Sequence, residues 1–166
     1  MTATRNPKRI LFVGGGILLA VLLTGSSAMA LDVKKSVDVA AAPDKAWAAL
    51  GDFCGIGTWH PAVAKCDLQQ KNGKTLRLLS LNGGGSILEQ QAAWDDAGHS
   101  YGYTIVESPL PVANYASTIA VTANGAGSTI TWSGRFDAKD APDDKAKDVI
   151  AGIYDAGLSA LKEKLK

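Results

Sequence analysis

Cysteine, histidine and methionine are scarce in this 166-residue chain, two of each, and neither sign of charge dominates, with 17 basic residues against 16 acidic ones. Each scarcity closes off a class of function. Cys54, Cys66 and His60 offer three donors but lack a fourth neighbour at a familiar ligand spacing, so neither a metal site nor a cofactor is expected. His60 and His99 are the only histidines, and neither has a carboxylate and a nucleophile at a spacing that makes a triad. His60, between Trp59 and Pro61, reads as a loop histidine bound to a backbone carbonyl, and His99 as a solvated turn residue. The glycine run 83–85 lacks the Lys-Ser/Thr of a phosphate loop and a strand-to-helix setting, so it reads as a flexible turn. No internal repeat or low-complexity linker divides the chain, which leaves a single domain.

What is present begins with a basic-to-apolar switch. Arg5, Lys8 and Arg9 precede an apolar run at 10–23 broken only by three glycines, and Ala28 and Ala30 place small residues two apart. This predicts a signal peptide over 1–30, cleaved after Ala30. A retained membrane anchor is the alternative, but the run is shorter than the roughly 20 residues that a spanning helix needs. No cysteine follows the run to carry a lipid. Cleavage removes three basic residues and no acidic one, leaving 14 against 16, a net charge of about −2 on a domain at 31–166. Such a domain is expected to be periplasmic, free of the membrane after cleavage, and a poor binder of nucleic acid. Both cysteines lie in the exported part, where an oxidising compartment favours a Cys54–Cys66 disulfide closing a loop of about 13 residues. That bond would stabilise by roughly 3 kcal/mol, and two buried thiols are the alternative.

The longest helical pattern is C-terminal. Pro142 at a first-turn position, Asp143 and Asp144 mark its start, Lys162, Lys164 and Lys166 crowd its end, and Val149, Ile150, Ile153, Gly157, Leu158, Leu161 and Leu165 recur at three- and four-residue steps. A helix of roughly 35 Å with one apolar stripe follows, and the stripe needs a sheet to cover it. Val33, Val37 and Val39 alternate in a first strand. Pro43 and Asp44 then start a short helix carrying Ala46, Trp47, Leu50 and Phe53, and 56–63 reads as a second helical turn ending at Pro61. Six strands follow near 64–70, 75–81, 87–95, 100–107, 113–122 and 128–138, separated by turns rich in Gly, Asn and Asp. The predicted class is α+β: a seven-stranded curved antiparallel sheet wrapped around the long C-terminal helix, with two short helices after the first strand.

Strand parity sorts the side chains. Ile130, Trp132, Gly134 and Phe136 share the face expected to meet the helix. Tyr101, Tyr103, Ile105 and Glu107 share one face of their strand, as do Tyr115, Ser117 and Ile119 of the next. An inward set that mixes aromatic bulk with hydroxyls describes a lined cavity better than a dry core, with Val149 and Ile153 lining it from the helix. Arg135 has the opposite parity and should face outward.

This element order resembles the helix-grip fold of the START and birch-pollen-allergen superfamily, SRPBCC. The segment 87–117, ILEQQAAWDDAGHSYGYTIVESPLPVANYAS, is similar to plant abscisic-acid receptors in its strand-opening Glu, acidic turn, aromatic strand and Asn-Tyr-x-Ser. The resemblance implies that Glu89 and Tyr115 face a ligand, with Tyr103 and Ser117 beside them and Lys65, before Cys66, an approximate counterpart of the receptors' carboxylate-binding lysine. Two ligand-closing loops of the receptors fall on 81–85 (LNGGG) and 107–112 (ESPLPV). The first loop's Pro is missing here, and Leu110 and Pro111 replace the second's His-Arg pair, so hormone recognition and the phosphatase partner do not carry over. The signal together with 53–63 (FCGIGTWHPAV), Lys65-Cys66, ESPLPV and 132–136 (WSGRF) resembles bacterial periplasmic MxaD-type proteins, also grouped as polyketide cyclase/dehydrase-like. That resemblance implies an accessory role in methanol oxidation, between a dehydrogenase and its cytochrome.

The leading expectation is a non-enzymatic exported protein that binds a small hydrophobic or amphipathic molecule between sheet and helix. The candidate contacts are Lys65, Glu89, Tyr101, Tyr103, Tyr115, Ser117, Trp132, Phe136, Val149 and Ile153. Two readings compete with it. One is an enzyme of the cyclase or dehydratase kind using Glu89 with Tyr103 or Tyr115 for proton transfer. The other is an interaction module that docks on a redox partner through Arg135 and the Cys54–Cys66 loop.

Overall fold

Short turns at 72–73, 82–85, 96–99, 108–111 and 125–126 fold the chain back on itself strand by strand. The computed structural model describes residues 1–2 and 30–166, so the expected signal segment lies, but for its ends, outside the described residues. The strands are β1 Leu31–Val39, β2 Val63–Lys71, β3 Lys74–Leu81, β4 Ser86–Asp95, β5 Ser100–Glu107, β6 Val112–Asn124 and β7 Gly127–Ala138. Helix α1 spans Pro43–Leu50, a 3-10 turn spans Gly55–Thr58, and helix α2 spans Asp143–Lys164. The β2–β3 hairpin shows the local logic. Lys71 pairs with Lys74, and the intervening Asn72 and Gly73 both have positive φ, 52° and 73°, the two-residue turn whose twist matches its strands.

All seven strands are antiparallel in one sheet of order β1-β7-β6-β5-β4-β3-β2. The last strand thus sits beside the first, and β1 and β2 form the edges. One face of the sheet is buried against α2, which is the helix-grip arrangement. Pro142 sets where that helix starts by capping it from extended backbone instead of forming its first turn, and Asp143 and Asp144 occupy the positive end of the dipole. The buried stripe of α2 is Ala146, Ile150, Tyr154, Gly157, Leu158 and Leu161, with Leu165 just beyond it. Val149, expected in the stripe, lies at its rim and is 39% exposed.

Helix α1 ends at Leu50, earlier than the expected run to Phe53, because Gly51 turns the chain at φ 75°. Phe53 is nevertheless buried, and the 3-10 turn follows at once. A Cys54–Cys66 disulfide ties that turn to edge strand β2. His99 departs from the solvated turn residue expected: it stacks on Trp47 and lies 3.2 Å from the Asp44 carboxylate, which fastens the β4–β5 turn to α1.

Candidate functional site

Between the sheet and the N-terminal half of α2 lies a cavity of about 290 Å³. Strand alternation supplies Leu79 and Leu81 from β3, Ile87 and Glu89 from β4, Tyr103 and Ile105 from β5, Tyr115 from β6 and Trp132 from β7. Helix α2 contributes Val149, Ile150 and Ile153, and the segment after α1 contributes Ile56 and His60. Side chains from eight elements meet here, Val63 of β2 and Ile56 of the 3-10 turn included, because inward parity on neighbouring strands converges on the groove that the helix spans.

Its polar groups are few. Glu89 is buried and bonded through Oε2 to Arg77 Nε at 2.5 Å. Arg77 is fully buried, donates from Nη1 to the Phe53 carbonyl, and has its guanidinium carbon 4.2 Å from the Phe53 ring centre and 4.8 Å from that of Tyr103. Arg77 Nη2 is buried without a partner among the described residues, and the bond from Arg77 Nε engages only Oε2 of the Glu89 carboxylate. Burial raises the Glu89 pKa above the usual carboxyl value, with Arg77 pulling the other way. Burial also works against the Arg77 charge, but the Glu89 carboxylate outweighs it and holds the guanidinium above its ordinary value. A neutral Glu89 would leave a buried guanidinium uncompensated, so the pair is ionic in neutral solution.

Beyond the ion pair runs a chain of hydroxyls whose proton directions can be assigned. Ser117 Oγ donates to the Ser133 carbonyl at 2.8 Å, which uses its only proton. The Tyr154 hydroxyl, 3.1 Å away, must therefore donate to Ser117, and the Tyr115 hydroxyl, 2.5 Å further on, must donate to Tyr154. Trp132 Nε1 donates to both Ser117 Oγ and Tyr103 OH, at 3.0 and 3.1 Å. With the Tyr115 proton committed to Tyr154, Tyr103 is the donor in its long 3.5 Å contact to the Tyr115 oxygen, the weakest bond of the chain. Burial pushes Tyr103 and Tyr115 well above the usual phenol range and Tyr154 up to about 12, so all three stay neutral donors. Because the chain ends on a backbone carbonyl, it carries no proton through the protein.

His60 is fixed from both sides. The Ala62 N–H donates to its Nδ1 at 3.2 Å, which leaves the proton on Nε2, and Nε2 donates to the Ile153 carbonyl at 3.0 Å. Burial lowers its pKa, and Arg77 adds to that effect against the bond to Ile153. The carbonyl contact expected from the sequence is present, and its acceptor belongs to α2.

Of the residues singled out in the sequence, Glu89, Tyr103, Tyr115, Trp132, Val149 and Ile153 line the cavity. Tyr101, Ser117 and Phe136 are buried behind that wall: Tyr101 stacks on Trp94, Phe136 on Tyr115, and Ser117 anchors the hydroxyl chain. Lys65 does not reach the cavity. It points to solvent on edge strand β2 and pairs with Asp67 at 2.8 Å, because the inward positions near that end of β2 belong to Val63 and the disulfide-bonded Cys66. Two residues central to the site went unforeseen, Arg77 and Tyr154. Arg77 shares strand parity with Leu79 and Leu81, and Tyr154 falls four residues after Ile150 and four before Leu158.

Comparison with known proteins agrees with this architecture. A sequence model of the family described as polyketide cyclase / dehydrase and lipid transport matches residues 30–166. The structure of the protein XoxI from Bacillus cereus is similar, with 30% identity and a TM-score of 0.76 over 81% of this chain and 94% of that one. An uncharacterised protein of Bacillus thuringiensis gives 28% identity and a TM-score of 0.76 over 81% and 98% of the two chains. The Zhui aromatase/cyclase from Streptomyces sp. R1128 shares the fold at 18% identity, with a TM-score of 0.66 over 82% and 94%. No curated protein matches in a sequence search.

Proposed function

The chain belongs to the polyketide cyclase / dehydrase and lipid transport family, within the SRPBCC superfamily, and from that premise we propose that it is an exported binding protein that holds one small, mostly apolar molecule between its sheet and α2. The observation that carries this reading is the pairing of an apolar cavity of about 290 Å³ with the Glu89 carboxylate, bonded to Arg77 through Oε2, and a Tyr103 hydroxyl whose one acceptor is a long 3.5 Å contact to Tyr115. That volume is many times the share of a single water and suits a guest of about ten to fifteen heavy atoms. A neutral hydroxyl suits the polar groups, since it can donate to the Glu89 carboxylate and accept from Tyr103, whereas an anion would be repelled by Glu89. The Cys54–Cys66 bond supports export to an oxidising compartment, in line with the basic and apolar N-terminus. An accessory role beside a periplasmic dehydrogenase and cytochrome, as in MxaD-type proteins, is the partner this reading adopts, with exposed Arg135 and the disulfide loop as the docking surface.

The test is fluorescence titration with 2-naphthol and with 2-methoxynaphthalene, which lacks the donor hydrogen. Binding of 2-naphthol is expected to be tighter by about tenfold or more, the usual worth of a hydrogen bond to a charged group. Failure of both probes to bind would remove the cavity reading. One observation favours a second reading, a cyclase or dehydratase: Glu89 is a carboxyl with a raised pKa facing the cavity. In that case Glu89→Gln would abolish turnover of a polyketide-like substrate while leaving 2-naphthol bound with only a modest loss.

A further inference from the structure

Strands β5 and β6 are paired only from Ser100–Ala120 to Thr104–Ala116, although β5 runs on to Glu107 and β6 starts at Val112. Both strands are deformed where the pairing stops. On β5 the register against β4 slips between Glu89–Ile105 and Leu88–Glu107, so Val106 is an extra residue. On β6 the register against β7 slips between Ala113 and Ala116, with Asn114 at φ 52°. Bulges bend a strand and increase its twist, and two of them facing one another hold this seam open. An open groove of about 750 Å³ occupies it, lined by Thr104, Val106, Glu107, Ala113 and Ala116 among others.

The groove and the inner cavity share two lining residues, Ile105 and Tyr115. The two differ in freedom. Tyr115 is fastened by its hydroxyl to Tyr154, whereas Ile105 is partly buried and carries no polar group to hold it. Elsewhere the turn after β3 approaches the turn after β5 near Gly85 and Pro109, where a Cβ built on Gly85 would lie 4.0 Å from Pro109 Cγ. We propose that guests enter and leave the cavity through the β5–β6 seam, with Ile105 as the side chain that swings aside and Tyr115 as the fixed jamb. No ladder hydrogen bond between β5 and β6 has to break for that movement, because none joins the strands beyond Thr104–Ala116. This passage rests on the cavity-binding reading but goes beyond it, since the cavity could equally fill past Gly85 and Pro109.

The experiment is stopped-flow fluorescence of the domain with 2-naphthol. Ala116→Trp places bulk in the groove from an exposed position that does not line the cavity, and Pro109→Trp does the same beside Gly85. Ala116→Trp is expected to slow association and dissociation together by about fivefold or more with Kd unchanged, and Pro109→Trp to leave both rates within about twofold. Ala113→Trp serves as a second groove variant if circular dichroism shows Ala116→Trp misfolded. Unchanged rates in the groove variants, or equal or greater slowing by Pro109→Trp, would overturn the passage while leaving the cavity reading intact. A wild-type domain that takes up no 2-naphthol would overturn both.

Discussion

The Arg77–Glu89 pair is the residue-scale feature on which the site depends. A buried ion pair contributes little net stability against an apolar replacement, but removing one partner strands the other charge. Arg77→Met is therefore expected to destabilise by about 3–5 kcal/mol, and the double variant Arg77→Met/Glu89→Leu to recover most of that loss, as measured by urea unfolding. A single variant as stable as wild type would mean that Glu89 is already neutral. His60 gives a pH signature. Its folded pKa lies below the unfolded value near 6.5, so the unfolded chain binds the proton first, and the stability His60 contributes is present above pH 6.5 and lost as pH falls through its lowered folded value. Glu89 has the opposite sign, since its raised pKa gives a contribution that is full below the unfolded value of 4.5 and lost as pH rises through the folded value. The difference in melting temperature between wild type and His60→Gln isolates the histidine, and it is expected to shrink between pH 8 and pH 5. A constant difference would show that burial does not depress the His60 pKa. At this scale the sequence was legible where chemistry and parity agreed, as for Trp132 and Tyr115. It misled at Arg77, whose charge reads as surface while its parity reads as core, and at Lys65, placed by analogy and not by strand face.

At the scale of elements, α2 is held on the sheet by three rings that need Gly157. A Cβ there would come within 2.7 Å of His60 Cδ2, 2.8 Å of Trp132 Cζ3 and 3.0 Å of Trp59 Cζ3. Gly157→Ala should thus destabilise by about 1–2 kcal/mol net, because overpacking of up to about 3 kcal/mol exceeds the roughly 1 kcal/mol gained from helix propensity. A raised urea midpoint would show that the rings move aside freely. The strands and both ends of α2 could be read from sequence because alternation, Asn-Gly turns and terminal charges are local signals. The bulges at Val106 and Asn114 could not, since a bulge is a mismatch between two strands and neither strand alone shows it. The same blindness hid the β5–β6 seam. Tyr154 was overlooked because its polar tip obscured its place in the Ile150–Leu158 row, where its ring stacks 4.4 Å from Trp132.

For the whole molecule, the order of the sheet and the length of α2 leave a hollow at one end of the groove and pack the other end tight. Leu158 and Leu161 are buried there, with Trp59 and Trp132 in edge contact. A family fold with such a hollow admits many roles, so the role must come from the polar groups facing it. Here they are the Glu89 carboxylate and the Tyr103 and Tyr115 hydroxyls, with His60 beside them, set in aliphatic and aromatic walls. The most direct measurement is a crystal structure of the domain soaked in 2-naphthol. Ring density is expected between the sheet and α2, with the naphthol oxygen in hydrogen-bond reach of the Glu89 carboxylate and the Tyr103 hydroxyl. A cavity that stays empty at saturating probe, or a naphthol bound only on the outer surface, would contradict the cavity reading.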